Sequence, residues 1–288
     1  MTCYNSRMIT NKYTGEPVLA RCRRCIGCVI SYAREWSIRC VHEAKFYIES
    51  SFLTLTYDND KLPSDGLLNH KDVQLFLKRL RKFIHPVKVR YLVVGEYGDG
   101  NGRPHYHMLL YGYDFSSDRV KVSKRSSYYI YTSNELSGLW QKGFCSIGAI
   151  TEKSASYVAK YCFKKPLRRG DPSAPYMRCS KGIGKSWALL YAAKCLDRGY
   201  IVYENRKYAI PRYYIDIIDR FHLASGEKID YYKRRRLEHC EQCIHDEYQK
   251  LKRQAPDGRA DAVVDRQEAI REFNELRQAS FKRDLTLF

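Results

Sequence analysis

Residues 95–112 read Gly-Glu-Tyr-Gly-Asp-Gly-Asn-Gly-Arg-Pro-His-Tyr-His-Met-Leu-Leu-Tyr-Gly. The pattern predicts a β-hairpin: a Val- and Tyr-rich strand Val89–Tyr97, turn residues Asp99–Gly102, and a second apolar strand His105–Tyr111. Residues two apart in a strand share a face, so His105 and His107 project together and Tyr106 projects oppositely. With the loop centred between Gly100 and Asn101, Glu96 stands opposite His105 and Val94 opposite His107. Glu96 then joins both imidazoles on one face. Two imidazoles and a carboxylate form a divalent-metal site with positions open for substrate. A pair of surface histidines is the plainer alternative. A histidine-triad hydrolase would require a third histidine at 109, where Leu109 stands.

Residues 154–166 read Ser-Ala-Ser-Tyr-Val-Ala-Lys-Tyr-Cys-Phe-Lys-Lys-Pro. They predict a helix capped by Ser154 and stopped at Pro166. Ala155, Val158, Ala159 and Cys162 recur at helical spacing and form the buried stripe. Tyr157, Lys160, Tyr161 and Lys164 occupy the other face, with the two tyrosines one turn apart. In isolation this is an amphipathic helix with a solvated Tyr/Lys face. Beside a His-x-His strand it offers two nucleophiles.

The His105-Tyr106-His107 strand and the tandem Tyr-x-x-Lys units at 157–160 and 161–164 resemble the rolling-circle replication initiators of the HUH endonuclease superfamily. The resemblance is strongest to initiators of small single-stranded-DNA bacteriophages, the microviruses, and within them to the gokushovirus branch. It spans roughly residues 20–190. It includes Leu139-Trp140…Gly143, and also Phe52-Leu53-Thr54-Leu55-Thr56-Tyr57, which resembles the first motif of the family. Tyr106 stands where the superfamily's commonest form has an aliphatic residue. The resemblance implies a central antiparallel sheet of the RRM-like HUH type, carrying the histidines centrally. It also implies Mg²⁺ or Mn²⁺ held by His105, His107 and Glu96, a 5′-phosphotyrosine intermediate through Tyr157 or Tyr161, and a free DNA 3′-OH. The implied partners are origin DNA of a circular single-stranded genome and a host polymerase and helicase, in the cytoplasm of a bacterial host.

The residue types suit that chemistry. A phenol of pKa about 10 is a weak nucleophile until assisted. A divalent ion polarises and orients the scissile phosphate, and Lys160 or Lys164 would stabilise charge on phosphate or phenolate. Two tyrosines allow a second transfer while the first still holds DNA. The reading is therefore a nicking and strand-transferring DNA endonuclease. Its rivals are a non-catalytic nucleic-acid binder with an RRM-like sheet and a zinc knuckle, and a metal-dependent nuclease that uses water.

Fifty-one Lys+Arg against 32 Asp+Glu leave a net charge of +19, which favours a polyanionic partner. Lys78, Arg79, Arg81 and Lys82 are expected on the outer face of a helix over Lys71–Phe83 whose stripe is Val73, Phe76, Leu77, Leu80 and Phe83. Lys233, Arg234, Arg235 and Arg236 form a denser cluster. Tyr128–Tyr131 would stack on unpaired bases or simply form a strand.

The expected class is α+β: an antiparallel sheet with packed helices, a Cys-rich N-terminal extension and a helical C-terminal tail. The expected divisions are residues 1–50 (Cys-rich segment and helix), 51–167 (endonuclease core), 168–222 (smaller accessory region) and 223–288 (polar tail). Within them lie a helix near Ser31–Ile48, strand 52–57, a variable loop near 114–127 and strand 144–150. No run of 18 apolar residues exists, and no signal peptide is expected.

Eleven cysteines without an export signal argue against disulfides. Cys22, Cys25 and Cys28 have the spacing of a zinc-type thiolate site that needs a fourth ligand, with Cys3 first and Cys40 and His42 behind it. A ferredoxin-like run would need a cysteine where Tyr32 stands, and free thiols are the remaining reading. Cys240 and Cys243, with His239 and His245, form a weaker pair. Gly182-Ile183-Gly184-Lys185-Ser186 imitates the end of a phosphate-binding loop, but Cys179 replaces the first glycine and no preceding strand is evident. It reads as a basic turn before a helix over Trp187–Leu196, near enough to a DNA backbone to touch it.

Overall fold

The hairpin expected over 89–111 lies inside a seven-stranded antiparallel sheet in the computed structural model. The structure describes residues 3, 7–10, 17–98, 100–125, 128–161, 174–203 and 206–225. The first elements are β1 (Arg7–Thr10), β2 (Pro17–Ala20), α1 (Ile26–Ala44), β3 (Ser50–Thr56), α2 (His70–Phe83), β4 (Arg90–Tyr97) and β5 (Pro104–Tyr111). There follow β6 (Val120–Arg125), β7 (Tyr128–Thr132), α3 (Asn134–Trp140), β8 (Cys145–Gly148), α4 (Glu152–Tyr161) and β9 (Tyr176–Cys179). The last are α5 (Lys185–Trp187), a π turn (Ala188–Ala192), α6 (Ala193–Arg198), β10 (Ile201–Tyr203), β11 (Arg206–Tyr208) and α7 (Arg212–Ser225).

The chain forms two compact units. Ala33–Leu190 contains the large sheet, in the order β6-β7-β8-β3-β5-β4-β9. The other unit comprises the described parts of Met1–Tyr32 and Tyr191–Phe288, with the β1–β2 and β10–β11 hairpins and α7. The α+β class is as expected. Among the described residues, no helix is long and apolar enough to cross a membrane.

Strand alternation divides the large sheet into two chemically different faces. Leu53, Leu55, Val93, Tyr106, Met108, Leu110 and Ile147 point to one side and pack with Val73, Phe76, Leu77 and Leu80 of α2 and Leu136 and Trp140 of α3. The amphipathic period of α2 matches this face, and Asn69 caps the helix by accepting from Lys71 N. Phe83, expected in the stripe, is instead exposed. The helix ends there, and Ile84 in the C-cap takes the core position. Arg79 is not a free outer cation either. Its guanidinium donates to the Leu139 and Trp140 carbonyls at 2.7 and 3.2 Å, satisfying the last turn of α3.

The Leu139-Trp140…Gly143 run has a packing reason. The Trp140 indole donates to Thr56 O at 2.6 Å, and a side chain at Gly143 would collide with the Tyr57–Asp58 backbone. The chain thereby turns tightly into β8 beside β3.

Two strands escaped the sequence pattern. The loop expected near 114–127 contains β6, paired with β7 through a register shift between Lys121 and Ser123. Its lysines obscured the alternation, yet charge is common on an edge strand, where it discourages further pairing. Likewise β9 pairs with β4 at the opposite edge, so a strand does precede the Gly182–Ser186 turn. That turn is not an open anion cradle: Gly184 N donates to Glu43 Oε2 at 2.7 Å, and Glu43 also pairs with Arg90 at 2.7 Å. The helix expected over Trp187–Leu196 is broken by the π turn. Helix α1 starts earlier than expected, at Ile26, directly after the cysteine turn.

Candidate active site

The observed hairpin register pairs Glu96 with His105 and Val94 with His107, as expected. On the next strand Thr54 pairs with His107 and Thr56 with His105. The face opposite the apolar core therefore carries Thr54, Glu96, His105 and His107 together. Helix α4 packs over β4 and β5 on this face.

Both histidines present Nε2 to the same carboxylate oxygen. His105 Nε2 lies 2.9 Å and His107 Nε2 3.0 Å from Glu96 Oε1. Their Nδ1 atoms point away to separate partners: Arg103 O at 3.2 Å for His105 and Thr54 Oγ1 at 3.1 Å for His107. An Nδ1–H donated to each leaves the Nε2 lone pairs converging, the arrangement that outer hydrogen bonds impose on metal-binding imidazoles. Burial lowers the pKa of His107 against the opposing pull of Glu96, which keeps the imidazole neutral and able to ligate. Glu96 is 2 % exposed, and its Oε2 is buried with no hydrogen-bond partner among the described residues. A buried carboxylate oxygen left without a partner is costly, and a divalent ion would satisfy it. The donor atoms of Glu96, His105 and His107 lie within 4.8 Å of one another, so the residues fit a hard or borderline divalent cation.

Tyr157 reaches this cluster from α4. Its hydroxyl lies 3.4 Å from His107 Nε2, and its ring meets the His107 ring edge-on, with centroids 5.0 Å apart. Phe52 supports both, stacked on His107 at 5.5 Å and edge-on to Tyr157 at 6.3 Å. The helix buries Ala155, Val158 and Ala159 as expected. Its cap differs from expectation: Thr151 precedes the helix, and Thr151 and Ser154 exchange hydrogen bonds, Thr151 N to Ser154 Oγ at 2.8 Å and Ser154 N to Thr151 Oγ1 at 3.1 Å. This is a capping box with serine in the acidic position, and it moves the start from Ser154 to Glu152. The backbone of Lys160 and Tyr161 continues α4 one turn past Tyr157. Their side chains lie outside the described residues, as do Cys162 and Lys164 entirely.

The unusual Tyr106 is explained from the other side of the sheet. It is fully buried, and its hydroxyl accepts from Asn69 N at 2.8 Å, donates to Asn69 O at 3.0 Å and lies 3.0 Å from Tyr57 Oη. Tyr57 in turn donates to Asp72 at 2.9 Å. Close approach at Gly95 makes room for this ring, since an added Cβ would lie 3.2 Å from Tyr106 and 3.0 Å from Tyr176. Sequence reasoning missed Phe52 and Thr54 as site residues. The alternation Phe52, Thr54, Thr56 placed them on one face, but which strand they neighbour is a tertiary fact.

Elsewhere, Tyr129 and Tyr131 lie on the face opposite the histidines, by register through Ile147, Leu53 and Met108. Tyr129 is covered by Lys121, 3.7 Å from its ring centroid. The four expected thiolates, Cys3, Cys22, Cys25 and Cys28, do converge, with Sγ atoms within 4.8 Å of one another. Cys40 and His42 take no part in that cluster: Cys40 is buried, and His42 stacks on Trp187 at 3.6 Å. Lys233–Arg236, the Cys240/Cys243 pair and its flanking histidines, and most of the C-terminal tail lie outside the described residues.

Comparison with known proteins points to one biological process. The family described as replication-associated protein ORF2 matches residues 50–166, which contain the whole cluster. Over 214 residues the chain is 37% identical to replication-associated protein VP4 of Bdellovibrio phage phiMH2K, covering 70% of this chain and 68% of that protein. It is 30% identical to replication-associated protein ORF4 of Chlamydia phage 1, covering 75% of this chain and 58% of the relative. It is 29% identical to replication-associated protein ORF2 of Spiroplasma virus 4, covering 67% and 65%. The match thus spans less than two thirds of the length of the latter two relatives. No solved structure matches the chain.

Proposed function

Because this chain belongs to the phage replication-associated proteins, we propose that it initiates replication by nicking a circular single-stranded DNA genome through a tyrosine nucleophile. The observation that carries this reading is the Tyr157 hydroxyl 3.4 Å from His107 Nε2, beside the Glu96/His105/His107 cluster. A structural tyrosine would have no chemical reason to present its oxygen to a metal-ligand atom.

In the proposed step the phenolic oxygen attacks phosphorus in line, and the bond from phosphorus to the 3′ oxygen breaks. The products are a 5′-phosphotyrosine and a DNA 3′-hydroxyl, with the phenolic proton accounted for on the departing oxygen. Glu96, His105 and His107 would hold Mg²⁺ or Mn²⁺, which supplies Lewis-acid polarisation of the phosphate when bound. Phe52 and the buried face of α4 hold the Tyr157 ring so that little orientation is lost on binding. Tyr161, one helical turn on, is the second nucleophile, and Lys160 and Lys164 supply positive charge to the phosphate. The ester conserves the phosphodiester energy, so rejoining needs no nucleotide cofactor. The free 3′ end serves a host polymerase, with a host helicase opening the duplex, in the bacterial cytoplasm. The net charge of +19 adds sequence-independent attraction to DNA that salt should weaken.

The test is incubation with circular single-stranded phage DNA and Mn²⁺, followed by mass spectrometry of DNA-linked peptides. An adduct on the α4 peptide is expected. Cleavage without any adduct would mean a water nucleophile, and DNA binding without cleavage would favour a non-catalytic binder.

A further inference from the structure

The cysteine cluster of the smaller unit is independent of the cleavage site, and the DNA-nicking reading makes no use of it. Its geometry begins with a tight turn. Arg23 has φ of +61°, a left-handed conformation, inside Cys22-Arg23-Arg24-Cys25. That turn aims two amides at one sulfur: Arg24 N lies 3.4 Å and Cys25 N 3.2 Å from Cys22 Sγ. The amide of Cys22 itself donates to Cys3 Sγ at 3.2 Å. Helix α1 then begins at once, with Val29 N bonded to Cys25 O, so Cys28 projects from its first turn. Sulfur is a weak acceptor as a thiol and a much better one as a thiolate. Three backbone donors on two sulfurs, together with a helix N-terminus, are therefore an environment built for negative sulfur.

The sulfur separations suit one ion. A zinc–sulfur bond of about 2.3 Å gives a tetrahedron with edges of about 3.8 Å. Cys3 Sγ lies 3.8 Å from Cys25 Sγ, and Cys22 Sγ lies 4.0 Å from Cys28 Sγ. All four sulfurs fall within 4.8 Å of one another, and all four cysteines are free. Cys25 and Cys28 are buried, which shields the centre, and Arg21, Arg23 and Arg24 offset its charge.

We propose that Cys3, Cys22, Cys25 and Cys28 bind one zinc ion as a closed tetrathiolate site. Four thiols lose four protons on binding Zn²⁺ and leave a centre of net charge −2. No coordination position remains for substrate, so the ion is structural. It ties Cys3 to the first turn of α1 across the β1–β2 hairpin.

The experiment uses the full chain carrying His105→Ala/His107→Ala, so that zinc at the other cluster cannot contribute. Elemental analysis of this protein, purified without added metal, is expected to give one zinc per chain. A Cys22→Ser/Cys25→Ser variant in the same background is expected to lose it and to melt at lower temperature. Because that variant could fail to fold, the unaltered cysteine set is also reconstituted with Co²⁺ after zinc removal. Thiolate-to-cobalt charge-transfer bands with the visible bands of a tetrahedral tetrathiolate are expected. Stoichiometric iron, or metal-free protein whose four thiols all react freely and which gives no such cobalt spectrum, would overturn the assignment.

Discussion

Replacing Thr54 by valine tests whether the histidine cluster is a metal site and not simply a hydrogen-bonded pair. Valine keeps the shape but removes the hydroxyl that lies 3.1 Å from His107 Nδ1. His107 is only 6 % exposed, so water cannot readily replace the lost partner. An unsatisfied buried N–H costs about 1–3 kcal/mol. The same N–H fixes the tautomer that leaves Nε2 free to ligate, and loss of such an outer partner weakens metal binding about 10–100-fold, or about 1.4–2.7 kcal/mol. The two figures agree, so Mn²⁺ affinity measured by EPR titration is expected to fall within that range. Thr54→Ser should restore it, because serine keeps the oxygen. Nicking by the valine variant should recover at high Mn²⁺, since the nucleophile is untouched. Wild-type Mn²⁺ affinity in Thr54→Val, or an equal defect in Thr54→Ser, would refute the reasoning.

Chelation is expected to abolish cleavage, and His107→Ala should lower Mn²⁺ affinity by more than the about 100-fold ceiling of an outer-partner loss. Glu96→Ala should have a smaller effect, with calorimetric titration ranking the two. Tyr157→Phe and Tyr161→Phe should each retain some nicking, while the double variant should bind DNA and form no adduct on denaturing gels. Persistent adducts in the double variant would place the nucleophile elsewhere. His42 gives a pH prediction. Burial, with Lys45 adding, lowers its pKa to about 3, whereas the unfolded imidazole titrates near about 6.5. Between those values the unfolded chain takes up a proton that the folded chain does not. Stability should therefore fall as pH drops through that window, by at most about 1.4 kcal/mol per unit. His42→Phe, which keeps a ring on Trp187, should flatten the slope in urea melts, and an unchanged slope would assign the acid sensitivity to other groups.

The parts of the site legible in the sequence are those whose geometry is local. The Gly-rich turn centres the hairpin, so the pairing of Glu96 with His105 follows from counting. The spacing of Ala155, Val158 and Ala159 sets which way Tyr157 points, and the triplet spacing of Cys22, Cys25 and Cys28 announces a cluster. What stayed hidden depends on neighbours distant in the chain. Thr54 is 53 residues from His107 and meets it only because β3 lies beside β5. Arg79 looks like a surface cation until α3 brings its terminal carbonyls within reach. The short edge strands β6 and β9 have too few residues for alternation to outweigh their charged side chains, and pairing alone defines them.

The hydroxyl of Tyr106 links the metal-ligand strand to the entrance of α2 through Asn69, and to β3 through Tyr57. An aliphatic residue between the histidines is therefore not interchangeable with tyrosine one position at a time. Tyr106→Leu alone would strand a buried amide and two hydroxyl-directed partners, whereas a reciprocal change at Asn69 and Tyr57 could absorb it. Grafting this hairpin onto a homologue with an aliphatic centre would fail unless residues 57–72 travelled with it. The unit of exchange in building chimaeras is thus the hairpin together with the segment joining β3 to α2, although only the hairpin carries the histidines.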